Sequence, residues 1–492
     1  MRGRLFDLDD RLGRNLAAFC AGALAAIGQA PVNWGLPTFL GIMVGFFLFR
    51  RAANGKQVFS GGLVFGFGYF AVALNWLVEP FFVDAATTGW MAPFALAAMS
   101  GGLALFWALA WRAAFALKGG PLVWAALMAL AELARAYLFT GFPWAMPAYA
   151  WINASVVQLA SLIGPHGLNF VLFLAAALLV QVFQTRWGYR VGLAVVVALS
   201  VFPMPKPSDA PSDGPLVRLI QPNAPQHEKW DPDKVEGFFD RQIALTSEAG
   251  NPDFVIWPET SVPFAIPYAE PYFEKMAEAA GEATVITGVQ RLDGIKVHNA
   301  MAVLDHDGQV AQTYDKHHLV PFGEYLPFGE IAARFGLRGL AAEDGVGFAA
   351  GSGPKVLDIA GLGNVLPLIC YEVVFPQDLR VDQRPDVLLQ ITNDAWFGSF
   401  SGPYQHLAQA RMRAIEQGLP MIRVANTGVT AVIDAKGRVL DQLPLGQHGK
   451  LDTYLPASLD APLYARTGDL VLTLMLLSLL AIASLRAIRN FN

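Results

Sequence analysis

The stretch Asp253-Phe-Val-Ile-Trp-Pro-Glu259-Thr decides the fold class of the second half of this 492-residue chain. Its short apolar run is typical of a buried strand, and the run leads into a carboxylate. Because α/β folds usually carry their sites at the carboxyl ends of strands, Glu259 is a candidate for chemistry. Taken alone the motif is weak, since a glutamate after a strand is more often a cap or a surface residue.

Similar apolar runs recur between residues 216 and 433, and they predict a layered α/β or α+β sandwich. Helix-like stretches lie between some of the runs, notably at 232–249, 269–281 and 403–418. The runs themselves lie at 216–220, 253–257, 284–289, 299–304, 365–369, 386–391, 421–425 and 429–433.

Two further stretches supply groups that complement the carboxylate. The first is Tyr314-Asp-Lys316-His-His-Leu-Val-Pro-Phe-Gly-Glu324-Tyr, and the second is Pro367-Leu-Ile-Cys370-Tyr-Glu372. A thiol must lose its proton before it is a good nucleophile, and a nearby carboxylate can accept that proton. A lysine ammonium can stabilise the thiolate and then a tetrahedral oxyanion. Glu259, Lys316 and Cys370 together therefore predict covalent catalysis by a cysteine.

The first two hundred residues and the C-terminus have a different composition, which predicts membrane-spanning helices. The whole chain is 54% apolar and only 15% charged, with a mean hydropathy of +0.39. Soluble domains are about 45–50% apolar and about 25% charged. A helix needs roughly 20 apolar residues to cross a bilayer. Eight apolar stretches are candidates, at 13–30, 34–50, 57–78, 89–111, 121–140, 154–184, 187–204 and 468–486.

The charges of the connecting loops predict the orientation of these spans, because cytoplasmic loops carry an excess of lysine and arginine. The alternate loops 30–33, 79–88 and 141–153 contain no positive charge. This alternation predicts that both termini are cytoplasmic and that residues 206–467 face the opposite side. The positive residues that define the cytoplasmic loops are Arg2, Arg4, Arg11, Arg14, Arg50, Arg51, Lys56, Arg112, Lys118, Arg186, Arg190, Arg486 and Arg489.

Two loops are singled out by composition. The aromatic outer loop 141–151 is expected at the membrane interface, either as an anchor or as part of a lipid entrance. The Gly- and Ala-rich stretch 326–354 is a candidate lid, because long loops inside compact domains are usually functional.

The predicted organisation has four parts: a membrane domain of about seven helices at 1–204, a Pro-rich linker at 205–215, an extramembrane domain at 216–467, and a terminal span with its tail at 468–492.

Several functions are disfavoured by the sequence. The net charge of −5 comes without a basic stripe, so no nucleic-acid partner is expected. Cys20 lies in an apolar run and is expected to be buried, so a disulfide with Cys370 is not expected. Adjacent residues His317 and His318 are expected to point apart, so we predict no metal site. No glycine-rich phosphate motif is present, and no nucleotide cofactor is implied.

The order Glu259, Lys316, Cys370 resembles the nitrilase superfamily, and within it the apolipoprotein N-acyltransferase family of bacterial inner membranes. The similarity also rests on Thr392-Asn-Asp-Ala-Trp396-Phe-Gly and Arg423-Val-Ala-Asn426-Thr-Gly. It covers essentially the whole chain, because a helical membrane unit, an exported nitrilase-like domain and a terminal span recur in that order. The resemblance implies an αββα sandwich for the exported domain and a periplasmic position for it.

The resemblance implies a role for each matching residue. Glu259 would be the general base, Cys370 the nucleophile, and Lys316 the cation that serves the thiolate and the oxyanion. Glu324 would orient Lys316 or relay a proton, while Glu372 could do likewise or cap a helix. The remaining implied positions are Tyr371, with its backbone N–H beside the nucleophile, and the substrate-binding candidates Trp230, Asn299 and Trp396.

The implied reaction is a ping-pong transfer that needs no cofactor. A membrane phospholipid would donate a fatty acyl chain to Cys370, and the acceptor would be the α-amino group of a diacylglyceryl-modified apolipoprotein. One alternative is a membrane-anchored amidase or phospholipase that uses the same three residues with water as acceptor. Another is a transporter with a large exported domain, which predicts ionisable residues along a pathway. Glu132 and Arg135 are almost alone of that kind in the predicted spans.

Overall fold

Residues 10–183, 214–326 and 347–489 are described by a computed structural model of the protein. The chain divides into two units, one formed by Met1–Pro205 with Pro462–Asn492 and the other by Lys206–Ala461. The second boundary falls a few residues before the predicted position at 467, because a short helix at Leu463–Thr467 belongs to the first unit.

Helices α1–α7 with α11 and α12 belong to the first unit, and α8–α10 belong to the second. Their bounds are α1 Arg11–Ile27, α2 Gly35–Arg51, α3 Gly55–Ala73, α4 Ala85–Thr88, α5 Ala92–Ala116, α6 Pro121–Tyr137, α7 Ala160–Val182, α8 Val235–Thr246, α9 Glu270–Ala280, α10 Gly402–Gln417, α11 Leu463–Thr467 and α12 Leu470–Arg489.

Three helical segments of the described residues are long and apolar enough to cross a membrane, namely Ala85–Ala116, Ser155–Val182 and Leu470–Ala487. A fourth results if the bent pair Gly55–Ala73 and Asn75–Phe82 is one span. Helices α1, α2 and α6 have 17 residues each, which is at the short end for a span. The predicted span at 187–204 and most of the Pro-rich linker lie outside the described residues. The eight-span topology therefore stays a prediction.

A buried ion pair organises the first unit. Arg135 binds Glu132 through two hydrogen bonds of 2.8 and 2.6 Å, and the Trp107 indole N–H donates to the same carboxylate. The guanidinium also donates to the main-chain oxygens of Phe142 and Trp144. The pair therefore fixes the start of the aromatic loop 141–151. Trp144 is fully buried within the protein, and the expected position of this loop at the membrane interface stays a prediction.

The expected burial of Cys20 is also wrong, because this thiol is exposed on α1. Leu470 and Leu474 on α12 are likewise more than half exposed. A helix in a water-soluble protein buries its apolar face against other protein elements, whereas a membrane helix keeps an apolar outer face that contacts lipid. Exposed leucines on these helices agree with such a face.

The second unit contains two six-stranded sheets. The first has the strand order β12-β1-β2-β3-β4-β5, and the second has the order β11-β10-β9-β8-β7-β6. The central pairs β1/β2, β2/β3, β7/β8 and β8/β9 are parallel. The strands are β1 Leu216–Gln221, β2 Phe254–Ile256, β3 Thr284–Asp293, β4 Lys296–Leu304, β5 Val310–Asp315, β6 Leu357–Ile359, β7 Gly363–Ile369, β8 Val387–Thr392, β9 Met421–Ala425, β10 Thr430–Ile433, β11 Val439–Leu443 and β12 Gly449–Tyr454.

The sheets face each other through β1 against β9 and β4 against β7. Helices α8 and α9 pack on the first sheet, and α10 packs on the second, so the predicted αββα sandwich is confirmed. All eight apolar runs are strands, and the three predicted helices are present. The sequence missed β5, β6, β11 and β12, which are edge strands or partly exposed strands with mixed polar composition.

Gly288 on β3 lies directly against the backbone that carries Glu259. A Cβ atom at this position would meet the Pro258 carbonyl oxygen and the Thr260 nitrogen at 2.5 Å each. The main chain of Gly288 also binds this segment, because its oxygen accepts from the Ser261 N–H at 2.8 Å. The close approach leaves no room for a methyl group, so glycine fixes the distance between the sheet and the Glu259 turn.

We expect Gly288→Ala to lower the free energy of unfolding by about 1–3 kcal/mol, because the methyl group must push the Glu259 turn away from β3. The measurement is the Tm of the purified full chain in detergent. The matched control is Gly237→Ala on α8, where no atom lies near the added Cβ and helix propensity should raise stability slightly. Equal Tm values for Gly288→Ala and wild type would contradict the prediction.

Candidate active site

Three strand ends bring the predicted triad together. Glu259 lies in the turn after β2, Lys316 directly follows β5, and Cys370 directly follows β7. All three are buried, with exposed fractions of 6%, 1% and 5%. The Lys316 ammonium lies 3.7 Å from the Glu259 carboxylate, and the charges of both residues act on the Cys370 thiol.

Asn299 on β4 links two of the carboxylates. Its amide nitrogen donates to Glu259 at 2.7 Å and lies 3.3 Å from Glu324. The Lys316 ammonium donates to the same Glu324 oxygen at 2.8 Å, and the other Glu324 oxygen accepts from the Val320 N–H. Asn299 therefore lies inside the site, where its contacts are with the carboxylates. Glu324 is the direct partner of Lys316, which agrees with an orienting role.

Cys370 occupies the left-handed backbone region, with φ of +52°. It begins the short 3-10 helix Cys370–Val374 immediately after β7. Its carbonyl oxygen lies within hydrogen-bond distance of the Gln390 amide at 3.2 Å and of His406 Nε2 at 3.1 Å. An L-residue rarely adopts this conformation, and such strain concentrates at functional positions.

The electrostatic balance keeps the Cys370 thiol protonated in the resting site. Burial raises the pKa of the thiol, and the Glu259 carboxylate raises it further. Lys316 and a hydrogen bond with Thr392 lower the pKa, but they do not offset these two causes. A thiol of this kind needs a base to take its proton when it attacks. Glu259 is the carboxylate with the largest effect on it.

Lys316 remains charged in spite of its burial. Burial lowers the pKa of its ammonium, but Glu324, Glu259 and Cys370 together raise that pKa above its ordinary value. Since a buried ammonium costs several kcal/mol unless it is paired, the two carboxylates explain why a lysine is stable here. A permanent cation beside the thiol is the group needed to stabilise developing negative charge.

Glu372 has a different position and a different set of partners. Its fully buried carboxylate accepts hydrogen bonds from the Ile369 N–H, the His317 N–H and the Tyr314 hydroxyl. The bond from Ile369 caps the short helix that begins at Cys370. Helix capping was one of the roles expected for Glu372. The other bonds join this turn to the segment after β5. Glu372 therefore positions the Cys370 turn relative to the Lys316 segment.

A buried polar network behind Cys370 was not found by sequence analysis. Asp394 pairs with Arg423, accepts a hydrogen bond from Thr392 at 2.9 Å, and lies 2.8 Å from His406 Nδ1. Burial raises the pKa of Asp394, but Arg423 and His406 lower it below its ordinary value. The quoted motifs around Trp396 and Arg423 contain these residues. Isolated polar residues produce no periodic pattern in the sequence, so nothing there predicts that these residues form a buried network.

The remaining substrate-binding candidates lie in the same unit. Trp230 is 43% exposed and lines a cleft with Lys229, Phe238 and Thr260. Trp396 is half-buried in the short helix Asp394–Phe397. Neither has a described contact with the triad, so their roles as substrate contacts stay predictions. Tyr371 follows Cys370, and its ring packs against His318 and Phe375.

The expectation that His317 and His318 point apart is wrong. His317 Nε2 and His318 Nδ1 lie 3.4 and 2.8 Å from the same Asp378 oxygen. The three side chains place one ligand atom each within 4.8 Å of one another. Since β5 ends at Asp315, the alternation of an extended strand does not apply to these histidines. His317 Nδ1 also lies 2.6 Å from Glu372, which makes His317 part of the Glu372 network.

Two sequence comparisons agree with this arrangement. The second unit matches the carbon–nitrogen hydrolase family over residues 216–465, and residues 21–178 match the apolipoprotein N-acyltransferase N-terminal domain. The two stacked sheets and the matched residues thus define a carbon–nitrogen hydrolase-type catalytic unit.

Curated relatives extend the similarity over nearly the whole chain, and all three named here are apolipoprotein N-acyltransferases. That of Rhodopseudomonas palustris is 35% identical and covers 96% of this chain and 95% of its own. Those of Brucella melitensis and Bradyrhizobium diazoefficiens are 36% and 37% identical, with 96% and 97% of this chain covered and 95% of each relative. The chain belongs to the apolipoprotein N-acyltransferase family. It is an acyltransferase and a membrane protein.

The separate contacts of the two supporting glutamates predict different defects. Glu372→Gln is expected to lower the Tm of the full chain, because the NH2 group of the new amide cannot accept a hydrogen bond from the Ile369 N–H, the His317 N–H or the Tyr314 hydroxyl. Each hydrogen bond lost from the carboxylate contributes about 1.5–3 kcal/mol to stability. Glu324→Gln keeps an acceptor for Lys316, so a smaller change in Tm is expected, together with slower acylation of Cys370. Thermal unfolding and acyl-enzyme formation measure the two effects. The reverse pattern would refute this division of roles.

His317 predicts a pH dependence of stability. Burial lowers the pKa of its imidazole, but hydrogen bonds to Asp378 and Glu372 raise the pKa to about 9 from 6.5. Because the folded protein holds the proton more tightly, this stabilisation is complete below pH 6.5 and is lost as the pH rises to about 9.

The measurement is Tm against pH for the wild type and His317→Gln. The difference between them should be large at pH 6 and close to zero at pH 10. His306→Gln is the matched control, because His306 is exposed in the loop between β4 and β5. A constant difference between wild type and His317→Gln over the whole range would rule out a charged His317.

Proposed function

We propose that Cys370 carries the acyl group as a thioester, that Glu259 is the general base, and that Lys316 stabilises the thiolate and the oxyanion. The observation that supports this most directly is the buried cluster in which a permanently charged Lys316 lies between Glu324 and Glu259. The protonated thiol beside that cluster requires a base, and Glu259 is suitably near. The other groups have positioning roles in this proposal.

The first half-reaction forms the thioester. Glu259 takes the thiol proton as the Cys370 sulfur attacks the ester carbonyl of the donor. Lys316 and the Tyr371 N–H stabilise the resulting oxyanion. When the intermediate collapses, the carbon–oxygen bond of the ester breaks. The proton on Glu259 passes to the leaving alkoxide, which departs as the alcohol of a lyso-lipid, and Glu259 is again a carboxylate.

The second half-reaction forms an amide. The neutral α-amino group of the acceptor attacks the thioester carbonyl, and Glu259 takes one of its protons. Collapse of the second oxyanion breaks the carbon–sulfur bond and forms the amide. The proton returns from Glu259 to the Cys370 sulfur, so that the enzyme regains its starting state. No cofactor takes part in this scheme.

The proposed donor is a membrane phospholipid, and the proposed acceptor is a diacylglyceryl-modified apolipoprotein. Family membership supports a lipoprotein acceptor and a lipid substrate. The membrane unit supports this choice, since both proposed substrates carry acyl chains and neither leaves a bilayer easily. A water-soluble amide substrate would require no such unit, which disfavours the amidase form of the hydrolase alternative.

The proposed location is the bacterial inner membrane. The alternation of positive loops supports eight spans, cytoplasmic termini and a periplasmic catalytic domain. Water must be kept from the thioester, or the enzyme would only hydrolyse lipid. The candidate lid at 326–354 would serve this purpose, but its residues 327–346 lie outside the described part of the chain.

The proposal predicts an acyl-enzyme that is visible by intact-protein mass spectrometry. Purified protein in phospholipid micelles without acceptor should gain the mass of one fatty acyl chain. Cys370→Ala should gain none, because it lacks the sulfur. Cys20→Ala is the matched control, since Cys20 is the other cysteine, and it should behave like the wild type. A synthetic diacylglyceryl-cysteine peptide should discharge the acyl group and become N-acylated.

Two results would contradict the proposal. An adduct that decays equally fast with and without the peptide would identify water as the acceptor and favour the hydrolase. An unmodified wild-type protein, with lipid unchanged and Cys370→Ala indistinguishable from it, would exclude Cys370 as the nucleophile.

A further inference from the structure

A second lysine, Lys229, is buried beside the triad and has no role in the reaction described above. Its exposed fraction is 7%. Its ammonium donates one hydrogen bond of 3.0 Å to the main-chain oxygen of Glu259. The nitrogen also lies 5.3 Å from the centre of the Trp230 ring. Lys229 thus lies next to the proposed general base, but it binds the main chain of Glu259, whereas Lys316 forms an ion pair with the Glu259 carboxylate.

The ammonium of Lys229 lacks a counter-ion in the described residues. No carboxylate of the ranges 214–326 and 347–461 lies within ion-pair distance of it, and its single hydrogen-bond acceptor is neutral. An ammonium has three N–H donors, so two of them are left for another partner. Buried charges in proteins are normally paired. The position therefore suits an anion that the described residues do not provide.

The electrostatics of Lys229 favour the binding of an anion. Burial lowers the pKa of its ammonium to about 8, although Glu259 and Cys370 act in the opposite direction. The pKa of Lys316 is raised instead, because two carboxylates are close to its ammonium. An anionic group bound near Lys229 would supply the charge that Glu324 supplies to Lys316. Binding of such a group is therefore favoured by the relief of an unpaired buried cation.

The surroundings of Lys229 suit a ligand with both apolar and anionic parts. Lys229 and Trp230 line a cleft with the aromatic residues Phe238 and Phe239. Thr260 and Ser261, the residues directly after the general base, lie on the same cleft. A group that binds in this cleft would thus be close to the reacting ester. In a glycerophospholipid the phosphodiester and both acyl esters belong to one glycerol unit.

We infer that Lys229 binds the phosphodiester anion of the acyl donor and thereby selects phospholipids over neutral acylglycerols. The inference rests on the proposed function, since it assigns a residue to the donor of that reaction. It adds a selection step that the triad cannot provide, because an ester carbonyl is the same in a phospholipid and in a diacylglycerol. The aromatic cleft would contact the apolar part of the same molecule.

The test compares two donors that differ in the phosphoglycerol head group, which carries the phosphodiester anion and is absent from diacylglycerol. Phosphatidylglycerol and diacylglycerol with the same acyl chains are offered in matched neutral micelles, and the rate of Cys370 acylation is followed by intact-protein mass spectrometry. The wild type should prefer phosphatidylglycerol. In Lys229→Met the ratio of the two rates should fall by roughly tenfold or more, as for the loss of a hydrogen-bonded charge. Lys229→Arg keeps the cation and should keep most of the preference.

The matched control is Lys234→Met. Lys234 lies five positions further along the chain, is exposed, and pairs with Glu228 at the surface, so its replacement should leave the ratio at the wild-type value. Acylation of Lys229→Met by diacylglycerol shows that the variant is folded. If Lys229→Met is unfolded, Lys229→Gln replaces it, because a glutamine amide can still donate a hydrogen bond toward the Glu259 carbonyl.

Each remaining outcome gives a clear decision. An equal loss for both donors in Lys229→Met would mean that Lys229 only holds the Glu259 turn, and the inference would fail while the proposed function stands. Free inorganic phosphate that changes wild-type acylation by diacylglycerol, but not that of Lys229→Met, would assign the site to free phosphate instead of the donor. Absence of Cys370 acylation in the wild type with either donor would refute the proposed function itself.

Discussion

The catalytic unit depends on the burial of a charged lysine. Lys316 is almost completely removed from water, and its ammonium is stable there because Glu324 and Glu259 lie at 2.8 and 3.7 Å. Each of these carboxylates is buried too, so each needs its own donors, which Asn299 and the Val320 N–H provide. The geometry of the cluster follows from this requirement, since displacement of one member would leave a buried charge without a partner.

The same requirement explains why polar contacts join the parts of the fold that surround the site. The partners of Lys316 come from strand ends and loops of the first sheet, whereas Cys370 follows a strand of the second sheet. Glu372 joins these parts, because it accepts from the Cys370 turn and from the segment after Lys316. Behind Cys370, Asp394 pairs with Arg423 and lies beside His406, which contacts the Cys370 carbonyl oxygen. The turn that carries Cys370 is therefore held by polar contacts on both sides.

Sequence analysis predicted the parts of this site that follow from strand periodicity. Glu259 and Cys370 stand at the ends of buried apolar runs, so their positions at the sheet edge could be inferred from alternation and burial alone. Strands such as β11 and β12 could not be inferred, because partly exposed strands contain polar residues and lack an apolar run. Lys229 was missed for a related reason: a single lysine beside a tryptophan has no pattern, and only the fold shows that it is buried. The exposure of Cys20 was mispredicted because an apolar sequence does not distinguish a protein interior from a lipid-facing surface.

The carbonyl of Cys370 has a consequence for the atom on the other side of its peptide bond. A trans peptide is planar, so the carbonyl oxygen of Cys370 and the N–H of Tyr371 point in opposite directions within one peptide plane. Gln390 and His406 hold that oxygen from β8 and α10. These two side chains therefore set the direction of the Tyr371 amide hydrogen through the carbonyl oxygen of Cys370. The direction of the Tyr371 N–H, the proposed oxyanion donor, is therefore determined from the other side of the peptide bond, by contacts to the carbonyl oxygen.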